Sequence, residues 1–210
     1  MNLSGAFVPR DLGFAVAIGA LWGVACWWGD GSSLTFVRGL ANTAGPWLLI
    51  AFAAGARSRD AVPGAVLGAL ALLAVIGAYY LSLELFDSEV ASGRITLDGG
   101  SAWAVAALPV GAVFGLCGAA WRAGFATPLA VGLLGGALFG EGLALLSEDA
   151  RIDLDYLVVP VAEIAAAFSL PTLLIERRHA VWTIVVVAAL GPIAFVAERE
   201  LLDTVRGVIG

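Results

Sequence analysis

Seven long apolar stretches, most of them separated by short polar turns, fill this 210-residue chain. A helix needs about 20 predominantly apolar residues to cross a bilayer. In hydrocarbon only helices and closed barrels satisfy their own backbone. Stretches of this length therefore predict an all-α fold, a polytopic transmembrane helical bundle of about seven spans, with residues 1–210 forming a single domain. Composition agrees: 60% of residues are hydrophobic and 13% charged, against roughly 25% charged in soluble domains. The protein is expected in the plasma membrane as a multi-pass protein, with the lipid bilayer as its first partner.

The spans are read as Leu12–Trp28, a second around Trp47–Ala56, Ala61–Phe86, Ala102–Trp121, Phe125–Ser147, Tyr156–Ile175 and Val181–Val196. The second is the least regular. Its clean core is short, and Thr35–Gly45 extends it only if Arg38 and Asn42 face protein. Pro46 then falls mid-span, where a kink is expected. Glycine pairs four residues apart (Gly19/Gly23, Gly64/Gly68, Gly111/Gly115, Gly136/Gly140) mark close helix approaches.

Orientation follows the arginine bias; the chain has no lysine. The N-terminus and the turns at Arg57–Asp60, Arg122 and Glu176–His179 carry six arginines against three acids, and the opposite side five against twelve. The arginine-rich turns are the short ones beside the spans, where the bias acts most strongly. That places the N-terminus in the cytoplasm and the C-terminus outside. No cleavable signal peptide is read in Met1–Asp11.

Two stretches break the apolar pattern with one acid each: Glu141 within Thr127–Ser147 and Glu163 within Tyr156–Ile175. An ionisable group at membrane depth costs at least about 2.5 kcal/mol, and such groups face a bundle interior or wet cavity. Glu141 lies six residues before Ser147 and Glu163 seven after Tyr156. At the helical rise both sit roughly 9–10 Å below the outer end of their spans. On adjacent antiparallel helices the two are expected to flank one cavity in the outer half of the membrane. Gly140 and Gly142 are expected to leave room around Glu141. Asn42, Trp47, Tyr79, Tyr80, Trp103 and Phe139 are the candidate lining, although consecutive tyrosines diverge on a helix and tryptophans at span ends also form interfacial belts.

Other chemistries find little support. The single histidine, His179, lies on the side away from the acids, so no metal site or cofactor is expected. Cys26 and Cys117 read as buried apolar thiols. Asp149, Asp153 and Asp155 lack the tight spacing of a diphosphate-binding motif. No basic patch invites nucleic acid.

Leu40-Ala41-Asn42, Trp47, Ala51-Phe52, Gly55, Tyr79-Tyr80 and Gly140-Glu141-Gly142 resemble a group of small actinobacterial integral membrane proteins. That group is similar in size and span count to membrane-bound terpene cyclases acting on farnesylated indoles. The resemblance implies a hydrophobic, prenylated substrate, protonation of an alkene or epoxide, and metal-independent cyclisation of the carbocation. Physically, Glu141 would be the acid and Glu163 its partner or a cation-stabilising carboxylate, with aromatic faces stabilising the cation. The second reading is a binding or transport protein for a cationic or vitamin-like solute; the third is a structural membrane protein whose acids pair internally.

Overall fold

The structure is a computed structural model and describes residues 8–87, 97–148 and 154–209. Among them it is all-helical: α1 Pro9–Asp30, α2 Thr35–Asn42, α3 Gly45–Gly55, α4 Ala61–Phe86, α5 Leu97–Ala123, α6 Thr127–Glu148, α7 Leu154–Leu174 and α8 Arg177–Ile209. Six segments are long and apolar enough to cross a membrane: Pro9–Asp30, Ala61–Phe86, Trp103–Ala123, Thr127–Ser147, Leu157–Leu174 and His179–Val196. The protein is thus a multi-pass helical membrane protein. Of the charges counted on the outer side, Glu89, Arg94, Asp149, Arg151 and Asp153 lie outside the described residues.

Where a kink at Pro46 was expected, the chain forms two separate helices. α2 ends at Asn42, Thr43 turns to extended geometry (φ −96°, ψ 150°), and α3 starts at Gly45. Proline explains the position of the break. Pro46 has no N–H to donate to the Asn42 carbonyl, but in the first turn of a new helix that donor is not needed.

The helices form two compact units, Met1–Ser33 with Pro46–Phe125, and Leu34–Gly45 with Ala126–Gly210. In the first, α1 and α4 run parallel. A Cβ on Gly19 would strike the Ala71 carbonyl and one on Gly23 the Val75 carbonyl. α4 and α5 run antiparallel, with Gly64 and Gly68 against Gly115 and Gly111. α3 enters the same packing through Gly55 on Gly115 and through Phe52, which Gly118 meets at its carbonyl. Ala15, Ile50, Ala54, Leu67 and Ala71 form the core of this unit. α5 ends in a Schellman motif: Phe125 N–H donates to Ala120 O (3.0 Å) and Gly124 N–H to Trp121 O (3.1 Å). Gly124 sits at φ +75°, a conformation that favours glycine.

The ends of the first unit are tied by polar contacts. At one end Arg57 Nη2 reaches Asp11 Oδ1 (3.1 Å) and its guanidinium lies 5.2 Å from the Phe14 ring centroid. At the other, Trp27 Nε1 donates to Asp87 (2.8 Å), its ring packs on Phe86, and the Tyr79 hydroxyl donates to Asp30. An exposed pair such as Arg57–Asp11 contributes under about 1 kcal/mol; its structural content is that Asp11 and the α3–α4 turn share one end.

In the second unit α6 is central. It runs parallel to α8, with Gly132, Gly136 and Gly140 against Val186, Leu190 and Ala194. It runs antiparallel to α7, with Gly135 against the Ala167 carbonyl and Gly142 against Ile164. α2 lies along α7, Gly39 meeting Val159. Every glycine pair singled out in the sequence sits at such a contact.

Candidate functional site

Glu141 lies on α6 between two glycines that face different neighbours. A Cβ at Gly140 would stand 2.6 Å from Ala194 Cβ on α8, and one at Gly142 2.7 Å from Ile164 Cγ1 on α7. The Gly-Glu-Gly sequence therefore does not open space around the acid, as expected from the sequence. It lets α7 and α8 press onto α6 from two sides and leaves the third face to Glu141. That face carries Leu134, Leu138 and Glu141 at helical spacing, all buried.

The third face meets the break between α2 and α3. The Ala44 N–H, freed from helical bonding, donates to Glu141 Oε1. Gly45 follows. The point where its Cβ would stand lies 2.7 Å from Glu163 Oε1, 2.9 Å from Leu138 Cδ2 and 3.4 Å from Glu141 Oε2. Both carboxyls thus close on one residue, one from α6 and one from α7, and any side chain there would displace them. Each glutamate is 6% exposed, as is Thr43, whose hydroxyl donates to the Leu40 carbonyl (3.3 Å) and finishes α2.

Both glutamates predicted to face inward do so, and they meet at a common point. Asn42 is exposed and donates to the Arg38 carbonyl of its own helix (2.8 Å). Phe139 is half-buried, edge-on to Phe168 at 5.1 Å and seated on Gly191 of α8. Trp47, Tyr79, Tyr80 and Trp103 belong to the other unit. There Tyr79 bonds Asp30 and stands edge-on to Tyr80 (5.3 Å), Trp47 is half-buried, and Trp103 is 58% exposed. Sequence reasoning missed Ala44 and Gly45. The signal was the Gly45-Pro46 dipeptide, which punctuates a helix and exposes backbone donors just before it.

Residues 4–204 match the family described as a family of unknown function, DUF6518. The chain belongs to DUF6518. No curated protein and no solved structure matches it. In this DUF6518 chain the arrangement can do two things chemically. It can hold a positive charge or a proton between two carboxyls, and it can transmit the state of those carboxyls to the backbone they grip. Among the described residues no three His, Cys, Asp or Glu side chains group as metal ligands.

Proposed function

We propose that the protein is a plasma-membrane binding or carrier protein for a cationic or vitamin-like small solute, with Glu141 and Glu163 as its binding carboxyls. The observation that carries this reading is the convergence of two buried carboxyls on a helix break. Acids at membrane depth mark ion, proton and substrate pathways. Discontinuous helices at that depth mark sites where backbone groups and ligand meet. On this reading the chain makes seven crossings with the N-terminus in the cytoplasm. The Asp11–Arg57 contact supports it, since the N-terminal end of α1 and the arginine-rich turn share one end of their unit.

A terpene cyclase needs the same buried acid but also aromatic faces beside it. In the unit that holds the pair, Phe139 and Phe168 are engaged with each other, and Phe139 with Gly191. The carboxyls close on backbone at Ala44 and Gly45, which suits binding.

The test uses purified protein in detergent, a panel of organic amines and vitamins as probes, and a farnesylated indole as the rival substrate. At least one cationic probe should raise the thermal midpoint saturably. A probe present at 100 times its dissociation constant stabilises by about 2.7 kcal/mol, and Glu141→Gln should abolish that gain. Cyclised product from the farnesylated indole, lost in Glu141→Gln, together with no stabilising cation, would replace the binding reading with the enzyme.

A further inference from the structure

We infer that the Glu141–Glu163 pair is a proton-operated latch on the break between α2 and α3, so that the proton is the ion to which solute binding is coupled. The inference takes its function from the binding reading above, but the latch itself stands on separate geometry.

Two contacts carry it. Glu141 Oε1 grips the broken segment by its backbone, accepting the Ala44 N–H. Glu163 Oε1 and Glu141 Oε2 then bracket Gly45, 2.7 and 3.4 Å from the same point beside its Cα. Those oxygens cannot be farther apart than these two distances together. Two ionised carboxylates so placed repel strongly where water is scarce. A pair that shares one proton does not, and it titrates as a unit rather than as two separate acids.

On α2 the charged residue is Arg38, which is exposed. Within Thr127–Ser147 of α6 and 157–174 of α7, Glu141 and Glu163 are themselves the only charged residues. On α8, His179 lies fifteen residues before the Ala194 that meets Gly140, and Glu198, Arg199 and Glu200 follow Ala194 by four to six residues. Along the helix that is about 22 Å for the histidine and about 6–9 Å for the three charges.

Singly protonated, the pair clamps Ala44 and Gly45. When the proton leaves to water the carboxyls separate, and the segment they hold, Ala44–Gly45, gives way. A cationic solute entering between the carboxyls takes the place of the proton: one positive charge enters and one proton leaves. Binding at the site is then proton exchange.

The experiment is hydrogen–deuterium exchange of the purified full chain in detergent, with no solute present, read on peptides covering Ala41–Trp47. Exchange is corrected for the intrinsic effect of pH. In wild type the Ala44 amide should be protected on the acidic side and lose protection at least about tenfold as pH rises, the ratio that 1.4 kcal/mol of lost clamping gives. In Glu163→Gln, where one member cannot ionise, protection should stay high across the range. Wild-type protection that ignores pH, or a Glu163→Gln variant that follows wild type, overturns the latch. Should the variant not fold, the infrared band of a protonated carboxyl in wild type decides. Titration of the band together with Ala44 protection supports the latch, and a band that is absent or titrates apart overturns it. A pH-silent segment alongside solute-dependent stabilisation sinks the latch and leaves the binding reading standing. A pH-responsive segment without any stabilising solute does the reverse.

Discussion

Gly45 carries no chemistry of its own, yet both carboxyls close on it. A methyl group there would stand 2.7 Å from Glu163 Oε1 and 2.9 Å from Leu138 Cδ2. The carboxyl and the leucine tip are both ends of flexible side chains, so Gly45→Ala should fold but displace Glu163. Overpacking of this kind costs about 1–3 kcal/mol. Gly13→Ala is the control, since nothing lies within 4 Å of its Cβ position. There the exchange should be neutral or gain up to about 1 kcal/mol from helix propensity. Thermal midpoints of the two variants should therefore move apart. Equal midpoints would mean that the carboxyls do not close on Gly45. At this scale Glu141 and Glu163 were legible because a charge inside an apolar run has few physical meanings. Ala44 and Gly45 were not, because every residue carries a backbone N–H and only the fold reveals which one is freed.

The long helices announced themselves by length and hydropathy, and the glycine pairs by their spacing. Which partner each pair faces was hidden: Gly64/Gly68 meet Gly115/Gly111 across an antiparallel contact, whereas Gly19/Gly23 meet the backbone of a parallel helix. The discontinuity was half legible. Proline marked the place, but a kink and a full break differ only in whether Thr43 leaves helical geometry, and here it does. Helix direction carries the topology prediction. Reporter fusions at Gly31, Arg59, Gly99 and His179 should read outside, cytoplasm, outside and cytoplasm, with a C-terminal tag outside. A cytoplasmic C-terminal tag would contradict seven crossings.

At the scale of the whole molecule, the chain visits the second unit early. Leu34–Gly45 belongs with Ala126–Gly210, although the first unit flanks it in sequence. Local patterning could not show this, because the association of α2 with α7 depends on contacts more than a hundred residues apart, such as Gly39 on Val159. That early visit is what brings the break to the carboxyls. The claim that Glu141 and Glu163 act as one unit is tested most directly by a double-mutant cycle. Unfolding free energies would be measured for wild type, Glu141→Gln, Glu163→Gln and the double variant. Groups that share a site couple by about 0.5–3 kcal/mol, whereas independent sites add to within about 0.5 kcal/mol. The double variant should depart from the sum of the singles by at least the lower end of that coupling; strict additivity would mean that the two glutamates do not act together.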